Sequence, residues 1–414
     1  MGKLKSSNTQ STNQAFNKKA LTFGLTSVLL YGMGFGITTP VVPFLVQPYV
    51  KSGANQAMVI ALLTFIYAVC VFLAAPGLGA LSDRYGRRPV LIICLLGSAA
   101  GYLIFGIGGA LWVLFLGRII DGLTGGNISI ILAYFADITP KEHRIKYFGW
   151  AGAAAGIGSI IGPTLGGLLS KFGYSTPMYF GVIITLLNVL YGAIYMPESL
   201  KKEHRVDKIS LVSLNPFTQL ASVLSIKNLK WLFISIFLLG VPSGSLQAFF
   251  SQFAKDTFEW GPTMIGIAFS ILGAQDIIAQ SLIMPKLLIK LKESQIAVLG
   301  MVSEIIAYGL IAASGIFSYF PLFIAGTIIF GFGDAIFCPA VNGIASNAVS
   351  SEDQGRIQGG SQSIQALTRI IGPILGGQLY IYLGHFAPAI MGMILVAAAI
   401  GAMHKGTHVK FQVQ

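Results

Sequence analysis

Twelve apolar runs, each of membrane-spanning length, dominate this chain. They lie near residues 20–46, 56–80, 89–110, 112–137, 146–170, 175–196, 229–252, 262–285, 295–314, 319–347, 357–382 and 384–404. The hydrocarbon core of a bilayer is roughly 30 Å thick, so one helix needs about 20 apolar residues to cross it. Between the runs lie short stretches that hold most of the charge. Over 414 residues, 54% are hydrophobic and only 10% are charged, with a mean hydropathy of +0.74. A soluble surface needs far more charge than that. The runs therefore predict an all-α membrane protein with twelve transmembrane helices. The 50 glycines suit close approach of helix backbones, because packing drives helix association in lipid.

A net charge of +12 raises nucleic acid as a partner, and its placement argues against that. Of the 27 Lys and Arg, Lys51, Lys171 and Lys255 fall on one side of the predicted membrane. Arg118 and Arg369 fall within spans, which leaves 22 on the other side. The positive-inside bias places both termini in the cytoplasm of a multi-pass protein, with the lipid bilayer as partner and no nucleic acid. Cys70, Cys94 and Cys338 all sit in apolar runs without metal-ligand spacing, so packed thiols and no metal site are expected. The polar stretch 1–19 reads as a cytoplasmic N-tail before span 1, without a convincing cleavage site.

The longest hydrophilic break, 197–228, divides the chain into predicted six-helix bundles at 20–196 and 229–404, followed by a C-tail at 405–414. The halves echo each other. Gly162-Pro163-Thr164-Leu165-Gly166-Gly167 in span 5 recurs as Gly372-Pro373-Ile374-Leu375-Gly376-Gly377 in span 11, 210 residues later (372 − 162). A duplicated unit with a substrate path at its interface is the architecture of a rocking carrier.

Between spans 2 and 3 runs Gly79-Ala80-Leu81-Ser82-Asp83-Arg84-Tyr85-Gly86-Arg87-Arg88. Gly79 and Gly86 allow a tight reversal. Asp83, read as lying just past span 2, is placed to pair with an Arg or to meet a helix N-terminus. The pattern resembles the signature loop of the major facilitator superfamily, whose fold is two pseudo-symmetric six-helix bundles. The resemblance implies a conformational latch made of Gly79, Asp83, Arg84, Gly86, Arg87 and Arg88, with Arg144 from the next loop on the same face. A loop that only orients the chain is the plainer alternative.

The likeness extends along the chain. Gly34-Phe35-Gly36-Ile37-Thr38-Thr39-Pro40-Val41-Val42-Pro43 carries two prolines that interrupt the helical ladder. It resembles the span 1 signature of twelve-helix drug/proton antiporters. Gly158, Gly162, Pro163, Gly166 and Gly167 match the superfamily's antiporter motif. Ala136-Asp137-Ile138-Thr139-Pro140, Arg144 and Phe148-Gly149 add a resemblance to the tetracycline/proton antiporter branch. What this implies is proton-coupled efflux of an amphipathic or cationic small molecule from the cell, with the protein acting as a monomer in the cell membrane. A proton-coupled importer or a dedicated metabolite exporter is the alternative on the same fold. Where that branch carries acids on spans 1 and 3, this chain has Tyr31 and Gly101, so the likeness does not carry tetracycline with it.

Charges inside a bilayer are costly, so each marks a functional candidate. Arg118 and Asp121 lie three apart on span 4 and share a face. Asp276 is placed in mid-span 8, Glu304 in the first turns of span 9, and Asp334 on span 10. These five are the candidates for proton coupling, and a structural ion pair is the alternative for Arg118 and Asp121. Arg369 on span 11 is placed to meet an acid or a substrate. Tyr31, Phe35, Pro40, Gln247 and Asn342 join Arg369 as candidate cavity residues. Phe65, Tyr67, Phe249, Phe250 and Phe253 are aromatic candidates for the same cavity. Gly106-Ile107-Gly108-Gly109 lacks a preceding strand and is no dinucleotide loop. With no ATP-binding loop, catalytic triad or zinc spacing in the sequence, an ion gradient is the expected energy source. Neither a cofactor nor an enzymatic role is expected.

Overall fold

The computed structural model describes residues 18–139, 144–200, 202–206, 215–217, 229–347 and 354–410. The first half holds α1 (Lys18–Thr38), α2 (Gly53–Tyr85), α3 (Arg87–Ile107), α4 in two parts (Leu111–Thr124 and Asn127–Ile138), α5 (Arg144–Leu169) and α6 (Thr176–Tyr195). The second half holds α7 (Lys230–Phe258), α8 (Pro262–Ile278, continuing as Met284–Lys290), α9 (Glu293–Phe317), α10 (Phe320–Asn347), α11 (Gln354–Leu383) and α12 (Ala387–Lys410). Among the described residues, eleven spans are both long and apolar enough to cross a membrane. The remaining helix, α11, has the length at 30 residues but carries Ser361, Ser363, Gln365 and Thr368 in its first half.

Three boundaries differ from the sequence reading. Helix α2 runs on to Tyr85, so Asp83 lies in its last turn rather than beyond it. Gly79 is inside that helix with open space where a side chain would go; only Gly86, at φ 104°, makes the turn. Span 4 breaks at Gly125-Gly126, because two adjacent glycines leave the ladder without side-chain support. Helix α12 continues to Lys410, through the first part of the stretch expected to be a tail. The expected interruption of span 1 is present: α1 stops at Thr38, and a short helix, Val42–Val46, follows with Pro43 at its start.

Each bundle is held by a glycine-lined helix pair. A Cβ on Gly162 of α5 would lie 3.0 Å from Met33 Cα of α1, and Gly158 and Gly166 sit as tightly against the Leu29 and Ile37 carbonyls. In the other half, Gly372 and Gly376 of α11 press on Val241 and Ser245 of α7. The repeated motif therefore does the same packing job twice. The last glycine of each copy turns the other way, across the bundle interface. Gly167 meets Pro262 and Thr263 of α8, and Gly377 meets Ala61 of α2.

Hydrogen bonds joining the bundles cluster toward the end opposite the chain termini, the far end. Thr263 Oγ1 donates to the Gly167 carbonyl (2.9 Å), Ser270 Oγ to the Ile160 carbonyl (2.8 Å) and Ser251 Oγ to the Thr39 carbonyl (2.9 Å). Thr164 and Ser270 share a further hydroxyl contact. Lys255 Nζ donates to Gln56 Oε1 at 3.1 Å and lies 5.4 Å from the centre of the Phe44 ring. The two halves thus meet closely at the far end.

Candidate functional site

Three groups of polar residues stand out, one at the terminal end and one inside each bundle. At the terminal end, Asp83 Oδ1 pairs with Arg87 Nη1 at 2.5 Å, and Arg87 Nε reaches Asp137 Oδ2 at 3.2 Å. The reversal at Gly86 puts Asp83 and Arg87 one turn apart across two helices. Helix α3 begins there with bare backbone N–H groups. Glu198 satisfies two of them: Arg87 N–H donates to Oε1 (2.9 Å) and Arg88 N–H to Oε2 (3.2 Å). So Glu198, and not Asp83, is the acid at the helix N-terminus, where the dipole favours it. Ser199 Oγ donates to Asp137 Oδ2 at 2.9 Å, and Arg205 Nη2 stands 3.8 Å from Glu198 Oε2. Arg88 donates to the Ala193 carbonyl. Arg84 is exposed and lies over the Tyr85 ring. The Arg144 side chain lies outside the described residues.

At Gly86 a Cβ would also stand 2.8 Å from Arg205 Nη2 and from Glu198 Cδ. Gly86→Ala is therefore expected to cost about 1–3 kcal/mol through its backbone conformation alone. A fall in the thermal unfolding midpoint of the detergent-purified protein, set beside an unchanged Arg84→Ala, measures it.

Inside the first bundle, Arg118 Nη1 and Asp121 Oδ2 stand 4.0 Å apart, at the outer limit of an ion pair. The guanidinium lies over Phe105 (4.6 Å) and Tyr67 (5.6 Å), so aromatic faces hold it as much as the acid does. Asp121 is 6% exposed and lines a cavity with Tyr31, Tyr67, Ser98, Tyr102 and Asn127. Gly101 makes room for it: a Cβ there would lie 2.7 Å from Asp121 Cβ. At the edge of the same cavity Ser27 and Asn188 hydrogen-bond to each other across α1 and α6. Of this set, the sequence reading singled out Asp121, Tyr31 and Tyr67. Ser27, Ser98, Asn127 and Asn188 carry the plain signal of polar residues inside apolar runs, and Tyr102 sits one turn beyond Ser98.

Inside the second bundle, Glu304 lies at the middle of α9, eleven residues past the helix start at Glu293 (304 − 293), and not in its first turns. It is 0% exposed, and neither carboxyl oxygen has a hydrogen-bond partner among the described residues. Gly300 and Gly333 bring α9 and α10 together; a Cβ on Gly333 would lie 3.0 Å from Glu304 Cγ. Asp334, next to Gly333, acts electrostatically on Glu304. Asp276 and Arg369 in turn act on Asp334. Asp276 accepts from Gln280 Nε2 at 2.7 Å, where α8 opens into a π turn at Ala279–Ile283. Arg369 is exposed and within electrostatic reach of Tyr31 in the other bundle.

Other cavity candidates fall elsewhere. Pro40 is buried against Gly166 of its own bundle at the far end. Phe249, Phe250 and Phe253 are buried in an aromatic core with Tyr380, Phe269 and Phe323, because α7 turns that face into its own bundle. Gln247 is exposed on α7 and Asn342 half-buried on α10. The Phe35 side chain lies outside the described residues. Gly158, Gly162 and Gly166 face α1, the Pro163 ring also packs on Gly36 of α1 while its carbonyl meets Gly266 of α8, and Gly167 faces α8.

The family model described as Major Facilitator Superfamily matches residues 24–288 and 232–405. The tetracycline resistance protein, class C, of Escherichia coli is 33% identical over 365 residues, covering 88% of this chain and 90% of its own. Multidrug resistance protein 2 of Bacillus subtilis (strain 168) is 28% identical over 382 residues, covering 90% and 91%. Among solved structures, the human organic anion transporter MFSD10 (TETRAN) superposes with a TM-score of 0.71 at 22% identity, covering 93% of this chain and 99% of its own. A bacterial homolog of the human lysosomal transporter Spinster, in an inward-facing and unoccupied conformation, superposes at 0.75 with 13% identity, covering 95% and 98%. At those identities the structures speak for the fold.

Proposed function

Since the chain belongs to the major facilitator superfamily, and so is a membrane transporter rather than an enzyme, we propose that it expels an amphipathic or cationic small molecule in exchange for protons. The positive-inside rule sets both termini in the cytoplasm of the cell membrane, so the closely joined far end faces outward. A substrate then enters from the cytoplasmic side, between bundles that already touch at the outer end. The carrier works as a monomer and takes its energy from the proton gradient, with no cofactor.

One observation carries the coupling: Glu304 is enclosed at mid-span with both carboxyl oxygens unpartnered. An ionised carboxylate without partners is very costly to bury, and a neutral acid much less so. The enclosed arrangement of Glu304 is therefore its proton-carrying arrangement. Release of that proton demands a wetter or better-partnered site, which rearrangement of α9 against α10 supplies. Asp334 and Asp276 continue the acidic path, and Arg369 connects it electrostatically to Tyr31 at the other bundle. Asp121 offers the first bundle's acid for the substrate or for a second proton.

The test is uptake into inside-out membrane vesicles, with tetracycline and a panel of fluorescent cations as probes. Uptake that needs an acidic interior supports antiport. Uptake of none of them overturns drug efflux and favours a dedicated metabolite carrier.

A further inference from the structure

Two arginines lie inside the spans, and they are held differently. Arg118 has an acid, Asp121, at 4.0 Å. Arg369 on α11 is exposed and makes no ion pair and no hydrogen bond among the described residues. A guanidinium keeps its proton in a protein, so the charge is permanent. At membrane depth such a charge needs water or a counter-ion and does not face lipid. Its neighbours define the space it faces. Arg369 is within electrostatic reach of Tyr31 on α1 and of Asp334 on α10, one helix from each bundle. Its Cα backs onto α7, where a Cβ on Gly244 would stand 3.5 Å away. The side chain therefore opens between the bundles.

The approach to it is polar as well. Gln362 and Gln365 precede Arg369 by seven and four positions (369 − 362 and 369 − 365). They share its face of α11, two turns and one turn nearer the terminal end. Gln362 is exposed and Gln365 half-buried. Eight residues beyond Arg369 (377 − 369), Gly377 meets Ala61 of the other bundle. That is about 12 Å along a helix. A molecule entering from the terminal side thus passes neutral amides and reaches the guanidinium just short of the joint.

We propose that Arg369 is a substrate-binding residue, and that it selects compounds bearing a carboxylate or an equivalent planar oxyanion. The inference rests on the efflux reading above and narrows its substrates to those with an acidic group. A carboxylate matches the guanidinium fork with two parallel N–H···O bonds and supplies the missing counter-charge. Asp334 stands beyond ion-pair distance, so the donors of the fork are open to the substrate. A carboxamide of the same shape keeps one acceptor oxygen and loses the charge, so it gains less.

The experiment measures thermal stabilisation of the full-length, detergent-purified protein by 4-butylbenzoate and by its uncharged isostere 4-butylbenzamide, at neutral pH and constant ionic strength. The expected result is half-maximal stabilisation at about tenfold lower concentration for the benzoate, or lower still, as expected for hydrogen bonds between charged groups. Arg369→Gln should erase that preference. Arg369→Lys keeps the charge without the fork, so it should narrow the preference, and it keeps the test decisive if the glutamine variant fails to fold. Equal stabilisation by the two compounds, a response to neither, or a preference that persists undiminished in either variant overturns the proposal. Benzoate preference with no proton-driven uptake of 4-butylbenzoate or of the drug panel in vesicles would leave this site standing and overturn efflux. Proton-driven uptake without the preference would do the reverse.

Discussion

Glu304→Gln is expected to abolish proton-driven uptake in inside-out vesicles while leaving a folded protein. Glutamine fills the same space, so packing against Gly333 is kept. It cannot exchange a proton, so the acidic path through α9 and α10 ends there. A positioned proton-transfer group contributes roughly a hundredfold or more to a rate, which sets the scale of the loss. Stability moves the other way or stays put, because no ion pair or hydrogen bond of Glu304 is removed and a costly ionised form is no longer available. The two readouts together are specific. Lost coupling with an unchanged unfolding midpoint assigns a proton-carrying role, whereas lost coupling with a lowered midpoint assigns a structural one. Coupling that survives in Glu304→Gln moves the site to Asp121 or Asp276.

The second large effect is on folding. Gly162→Leu places a branched side chain where the α1 backbone already stands, 3.0 Å from Met33 Cα at its first carbon. Backbone cannot move aside as a side-chain end can. Overpacking of well-filled interiors costs about 1–3 kcal/mol, and this site lies at the upper end or beyond. The α1–α5 pair anchors the first bundle, so the expected outcome is a collapse in the yield of monodisperse protein by size-exclusion chromatography. Gly152→Ala on the same helix is the control. Nothing lies within 4 Å of a Cβ there, and alanine is the better helix former, so normal yield is expected. Equal losses in both variants would mean that α5 tolerates no change at all, and the argument from the α1 contact would fail.

Much of the architecture was legible because lipid imposes one rule on every span. Length and hydropathy located the helices, and the Gly-Pro repeat related the two halves before any contact was known. The pairs Arg118–Asp121 and Asp83–Arg87 were legible from spacing along a helix or around a glycine turn. Contacts between elements far apart in the chain were not. Glu198 looked like one more charge in a hydrophilic loop, because its partners are the backbone N–H groups of Arg87 and Arg88, more than a hundred positions away. The break in span 4 had a local signal in Thr124-Gly125-Gly126-Asn127, but the hydropathy of the longer run masked it. Aromatic residues misled for a similar reason. Hydropathy does not say which face of α7 turns inward, and Phe249, Phe250 and Phe253 turned into their own bundle.

The two ends of the molecule are fastened by different forces. The far end is joined by hydroxyl-to-carbonyl hydrogen bonds and glycine contacts, with Lys255 leaning on a neutral amide and a ring. The terminal end of the first bundle is fastened, within that bundle and the stretch after α6, by ion pairs and carboxylate contacts around Arg87 and Glu198. Dissolved ions weaken the second kind of fastening and hardly touch the first. Ionic strength is therefore a lever on how the terminal end of the first bundle is held, and hardly one on the joint between the bundles. Raised salt would let the terminal ends of α2, α3 and α4 rearrange more freely without loosening the far-end joint.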